Sequence, residues 1–237
     1  MTLKKKNIPQ LIVFLTINIL IIWGAELGLN QVTILLGDFS TRDYGVLGKL
    51  VVLPAVFGLV IGMISWSLPK SFKEVLVFWR VGPHRLPSRE AFTRIASTDQ
   101  RIDLDRLRQR IGDFPTSAEK QSSLWYAIYR KHGNEPSVND ANGAYLLYRE
   151  MTGLTLVLIT AAVACEFAIP KSLLESVLLL GALGVEMTVV VFAARSAANR
   201  LVANVLAIEA SSSTQAASAA SKPRKTKPKA DRSDTNN

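Results

Sequence analysis

Cysteine and histidine are almost missing from this chain. Cys165 is the single cysteine, so no intrachain disulfide can form. With His84 and His132 as the only histidines, the chain lacks the nitrogen and sulfur ligands of a usual four-ligand zinc site. There is also no Gly-x-Ser-x-Gly, no His-Glu-x-x-His, no glycine-rich phosphate loop and no EF-hand. These absences remove the enzyme classes that carry such motifs. The expectation is a non-enzymatic protein with no cofactor and no metal.

Uninterrupted apolar runs are what the chain does have. Nearly half of its residues are hydrophobic (49%), and they gather in blocks separated by charged stretches rather than spreading at helix or strand period. A bilayer span needs about 20 mostly apolar residues to cross roughly 30 Å of hydrocarbon. Four stretches qualify: 8–28, 46–68, 152–169 and 172–194, the third interrupted by Glu166. The fold class expected is all-α, a polytopic helical membrane protein with four transmembrane helices and a small α-helical cytoplasmic domain between helices two and three.

Charge placement orients these spans. Lys4, Lys5 and Lys6 precede the first, fourteen Lys or Arg lie between Lys70 and Glu150, and eight more follow Ala194. The opposite-side loops and span ends hold only Arg42, Lys49 and Lys171. Cationic flanks stay on the cytoplasmic side, so both termini are expected there, in a bacterial inner membrane. A basic start before an apolar run also resembles a signal peptide, but the run is long for one and three more follow, so it reads as a retained signal-anchor.

Four segments follow: 1–69 as N-terminal arm and spans one and two, 70–150 as interfacial helix and cytoplasmic domain, 151–210 as spans three and four with a cytoplasmic extension, and 211–237 as a disordered basic tail. Pro54 is expected to kink span two and Pro69 to end it. Lys70 to Arg80 mixes basic residues with Phe72, Leu76, Phe78 and Trp79, the pattern of a helix lying at the inner interface. In the domain, Ser88 and Asp103 are candidate N-caps, and Thr116 with Glu119 forms a capping box. Pro136 opens a helix with no strong breaker before span three. Span four continues past Arg195, where Leu201, Val205 and Ile208 form a narrow apolar stripe that needs a partner.

Three groups are candidate sites. Asn18, Thr160 and Glu186 fall about 13–15 Å inside their span ends at roughly 1.5 Å per residue. They would form a mid-membrane polar layer, either a conducting site or plain interhelical hydrogen bonding. Glu26, Lys49 and Glu166 lie near the outer interface, where snorkelling competes with a specific site. Trp125, Tyr126 and Tyr129 are the candidates for docking a partner or ligand, against a reading as the core of a small domain. Gly24 with Gly28 and Gly58 with Gly62 make small-xxx-small pairs suited to close helix packing. Arg101, Arg106, Arg108 and Arg110 mingle with Asp99, Asp103 and Asp105, unlike a uniformly basic nucleic-acid face. The basic tail suits the anionic inner leaflet.

The partners expected are the lipid bilayer, a cytoplasmic protein and further copies of the chain, not nucleic acid. The leading functional expectation is a membrane component whose cytoplasmic domain docks or senses a partner while the spans anchor or act, as in a bacterial stress or phage-defence system. The alternative is an oligomeric ion or proton channel, or a small transporter, built on the Glu186 layer.

Overall fold

The computed structural model describes residues 3–27, 51–82, 86–168 and 172–220. Among these the chain is all-helical, with no strand. A short α1 (Leu3–Lys6) leads into α2 (Ile8–Leu27); α3 (Leu53–Ser67) and α4 (Lys70–Phe78) follow. A composite segment then runs through a 3-10 turn (Pro87–Glu90), a π turn (Ala91–Ile95) and α5 (Ala96–Thr98). Three more helices and one very long one complete the chain: α6 (Leu104–Ile111), α7 (Ala118–His132), α8 (Pro136–Ala168) and α9 (Leu173–Ala220).

Three helices, α2, α8 and α9, are long and apolar enough to cross a membrane. The described part of α3 has 15 residues, too few to cross alone, and a fourth span arises only if α3 and α4 count as one broken unit. They meet at 91°. Pro69 causes this bend. A residue before proline is pushed out of the helical region, and Leu68 is extended, at φ −63° and ψ 130°. Pro54 stands at the start of α3, directly after the π-helical residues 51–52.

The 33 residues of α8 and 48 of α9 give helices roughly 50 and 72 Å long at about 1.5 Å per residue. They run antiparallel. Ser176 Oγ donates to Glu166 at 2.5 Å, Thr155 Oγ1 to Glu186 at 3.1 Å, and Asn204 Nδ2 to the Ser137 carbonyl at 2.9 Å. These contacts step down one helix as they climb the other. Ser172 and Glu175 form a capping box at the start of α9: the Ser172 N–H donates to the Glu175 carboxylate at 3.3 Å, and the Glu175 N–H to Ser172 Oγ at 3.3 Å.

α9 changes character at Arg195. Before it, Leu174, Leu178, Val185, Val189 and Phe192 are exposed. After it the apolar residues are buried: Leu201, Val202, Val205 and Leu206 pack with Phe92, Ile95, Leu107, Trp125, Ile128 and Val138. The narrow stripe read from the sequence is thus covered by the short helices of 87–132. A separate core joins α2, α3, α8 and the first half of α9 through Leu11, Ile19, Ile61, Leu154, Leu158 and Leu183. The outward faces of α2 and α3 expose Val13, Leu20, Leu59 and Met63. A water-facing helix would place polar residues there, so these apolar belts mark a membrane protein.

Local expectations are corrected at three points. Ser88 is buried against Ser122 Oγ at 3.2 Å and does not cap a helix. Gln121 does that work instead, its Oε1 accepting from the N–H groups of Phe92 and Thr93 at 3.1 and 3.3 Å. The cap of α7 is Ser117 rather than Thr116: the helix begins at Ala118, and Ser117 Oγ accepts from the Lys120 N–H at 3.4 Å. Finally, α9 does not end before Ser211. It continues to Ala220 through an alanine-rich run that favours helix, with Arg110 holding Ser212 and the Glu209 carbonyl.

Candidate functional site: an aromatic cavity over a buried ion-pair network

Two apolar-flanked charge pairs meet where α4 crosses α8. Lys73 and Glu74 interrupt an otherwise apolar face of α4, and Arg149 and Glu150 immediately precede the apolar run of α8. All four are buried. Lys73 Nζ donates to Glu150 Oε2, and Arg149 Nη2 donates to Glu150 Oε1 at 2.8 Å. Gly153 permits the crossing. A Cβ there would come within 3.0 Å of Lys73 Cε and 3.4 Å of Ser65 Oγ. The lysine stem therefore lies in the groove that the missing side chain leaves.

A cavity of about 300 Å³ opens beside this network, between α4, α7, α8 and α9. Trp125, Tyr126, Tyr129 and Tyr145 supply its aromatic walls. Trp125 and Tyr129 are stacked, centroids 5.3 Å apart at 18°, and Tyr126 lies 6.0 Å from Tyr129. These contacts follow from the i, i+4 spacing of Trp125 and Tyr129 on α7. Burial, with a smaller contribution from Tyr126, raises the Tyr129 phenol above its ordinary value. Asn142 Nδ2 donates to Tyr129 Oη at 3.0 Å. Arg149 lies over the Tyr145 ring at 5.8 Å. Arg149 Nε, Arg149 Nη1 and Trp125 Nε1 are closed off from solvent without an acceptor.

A smaller cavity of about 160 Å³ lies at the end of α4, lined by Arg80, Arg94 and Arg195 around Glu90. Arg80 Nη1 and Arg94 Nε reach the two Glu90 oxygens at 2.8 and 2.6 Å. Burial works to raise the Glu90 carboxyl, but hydrogen bonds and charge from Arg94 and Arg80 outweigh it and hold the group below its ordinary value. Arg195 Nε donates to the Val77 carbonyl at 2.5 Å, with its guanidinium 4.5 Å from the Trp79 ring centroid. Trp79 ends α4 in the left-handed region, φ 51°. A non-glycine residue there carries backbone strain.

A third cluster fastens the far end of α9. Glu209 is buried and accepts from His132 Nε2 at 2.5 Å, with Lys131 Nζ at 3.7 Å and Arg110 Nε at 3.8 Å. Burial acts to raise this carboxyl. The His132 hydrogen bond and the charges of Lys131 and Arg110 overcome that effect and lower it.

The residues singled out from the sequence separate. Asn18 and Glu186 come together, with Thr155 as the third member. Thr160 is not part of the group: it is exposed and bonds back to the Leu156 carbonyl at 2.9 Å. Five residues along a helix is about 140° of rotation from Thr155, which turns Thr160 away from α9. Glu166 accepts from Ser176, while Lys49 and the side chain of Glu26 lie outside the described residues, as do His84 and Lys171. A Cβ on Gly58 would lie 3.5 Å from Ile19 Cγ1 of α2 and one on Gly62 3.5 Å from Leu15 Cδ2; a Cβ on Gly24 would meet nothing, and Gly28 lies outside the described residues. Lys73, Arg149 and Glu150 escaped sequence reading because their only signal is charge at the edge of an apolar run, which snorkelling explains equally well. No family model, curated protein or solved structure matches the chain.

Proposed function

We propose that the chain is a non-enzymatic, four-span protein of the bacterial inner membrane with both termini in the cytoplasm, whose short-helix unit senses or docks a partner and whose spans anchor or act on that signal. The observation that carries this reading is structural continuity. The distal half of α9 is the central strut of the short-helix core, and its proximal half is one of the membrane-length helices. α8 likewise links the aromatic cavity to the span core without a break. Rigid elements shared by two bodies carry a shift in one to the other. Orientation is supported by the 25 Lys or Arg assigned to the inner side against three outside.

Accessibility labelling tests the layout. In a Cys165→Ser background, a cysteine at Arg106 is expected to react with an impermeant maleimide only after permeabilisation, and one at Ser40 in intact cells. The reverse pattern overturns the orientation.

A second reading, an oligomeric ion or proton channel, is favoured by the convergence of Asn18, Thr155 and Glu186. Glu186→Gln separates the two. Flux into proteoliposomes that is present in the parent and lost in the variant, with assembly intact, supports conduction. Flux unchanged by the substitution removes it.

A further inference from the structure

Three arginines from three elements line the cavity of about 160 Å³ at the end of α4: Arg80 just beyond that helix, Arg94 in the π turn and Arg195 in α9. Among the described residues its only carboxylate is Glu90. Arg80 and Arg94 share that group. Arg195 makes no ion pair among the described residues; its Nε donates to the Val77 carbonyl, and its guanidinium rests on the Trp79 ring. The charges of Arg80 and Arg195 lie close enough to repel each other. Snorkelling accounts for one arginine at a span end, not for three converging on one acid.

Each guanidinium keeps N–H groups for another acceptor. Arg80 engages Nη1, Arg94 Nε and Arg195 Nε. The side chains of Arg80 and Arg94 are 54% and 49% exposed, and neither Nη group of Arg195 is closed off from solvent. Three guanidiniums against one carboxylate leave two positive charges for an anion. Guanidinium forks match the oxygens of a phosphate. The space is smaller than a small-molecule pocket, which suits one phosphate group rather than a whole metabolite.

The surroundings indicate where that phosphate comes from. α9 exposes Val185, Val189 and Phe192 on the way to Arg195 and buries Ala197, Ala198 and Leu201 after it. The Arg195 guanidinium lies 4.5 Å from the Trp79 ring centroid and 5.9 Å from that of Phe192, and both rings are exposed. An apolar belt that stops at arginine, with tryptophan at its edge, marks the headgroup level of a bilayer. We propose that Arg80, Arg94 and Arg195 form a site for the phosphate of a membrane lipid, whose acyl chains run along the exposed apolar face of α9. The site needs α9 to lie in a membrane and is independent of the sensing role. A bound phosphate would bridge α4, the π turn and α9 and relieve the repulsion between Arg80 and Arg195.

The test uses the full chain in detergent, with native mass spectrometry counting added lipid. The probes are dioleoylphosphatidylglycerol, dioleoylglycerol as the same chains without the phosphate, and inorganic phosphate as the anion without the chains. The phospholipid is expected to bind at least about tenfold more tightly than dioleoylglycerol. Arg195→Gln and Arg80→Gln are each expected to weaken it about tenfold, the value of one charge-assisted hydrogen bond. Lys225→Gln, the same charge change in the C-terminal tail, is expected to leave binding unchanged. Equal binding of the two lipids, or an equal loss in Lys225→Gln, overturns the proposal. So does parent-like affinity in the arginine variants that fold by circular dichroism; Arg80→Gln, at a half-exposed side chain, carries the test if Arg195→Gln does not fold. Inorganic phosphate that displaces the phospholipid at equal concentration upholds the anion site and overturns the lipid as its source.

Discussion

Lys73 reaches Glu150 across the α4–α8 crossing, its stem lying over Gly153 in place of a side chain. This single contact ties the helix that leaves the α3 bend to the helix that enters the span core. Both charges are nearly fully buried, 2% and 7% exposed. Removing Glu150 strands Lys73 and Arg149 together, whereas removing Lys73 leaves Glu150 paired with Arg149 at 2.8 Å.

Glu150→Leu is therefore expected to destabilise the protein by roughly 3–5 kcal/mol, the range for leaving a buried charge without its partner, and Lys73→Met by less, because Arg149 still pairs with Glu150. The double variant Lys73→Met, Glu150→Leu is expected to recover part of the Glu150→Leu loss, because only Arg149 is then left without its carboxylate. Denaturant unfolding in detergent, read as a double-mutant cycle, checks both statements. Additive losses would mean the two side chains do not interact.

Gly153→Ala tests the same crossing by sterics alone. The added methyl meets Lys73 Cε at 3.0 Å, so the flexible stem must move. Overpacking of this kind costs about 1–3 kcal/mol. The expected signature is a modest fall in thermal stability in the parent background and a smaller one alongside Lys73→Ala, where the stem is gone.

Glu209 predicts an acid-sensitive clasp. Its carboxyl lies below the 4.5 of the ordinary group. A depressed value means that the stabilisation is complete above the unfolded value and is lost as pH falls through the folded one. Hydrogen exchange in α6, α7 and residues 200–212 of α9 is expected to accelerate as pH drops below about 4.5 after correction for intrinsic rates. Glu209→Gln should already be loosened at neutral pH and should show a flatter response. An identical pH profile in the two proteins would exclude Glu209 as the titrating group.

Much of this architecture was legible in the residues. Apolar length marked α2, α8 and α9; Pro69 marked the bend; Asp103 marked the start of α6, where it accepts from the Arg106 N–H at 3.0 Å. The 201–208 stripe announced a buried face without saying what covers it, since periodicity reports that a helix side is apolar and not which element lies opposite. The π turn at 91–95 was illegible because it depends on Gln121, almost thirty residues away, taking its N–H groups. The polar group around Glu186 was half legible. Depth along each helix follows from counting, but the choice of Thr155 over Thr160 depends on rotation about the axis, which the α8–α9 packing sets.

The central claim is that the short-helix unit and the span bundle move as coupled bodies through α9. Pulsed electron–electron resonance tests it, with spin labels at Val60 and Val189, both exposed in the structure, in proteoliposomes of the parent and of Leu206→Asp. Leu206 is fully buried in the core shared by α9 and the short helices, so the substitution disrupts that core. The expected result is a shifted or broadened inter-span distance distribution together with faster exchange in residues 91–132. Disruption of the short-helix core with an unchanged distribution between the labels would contradict it.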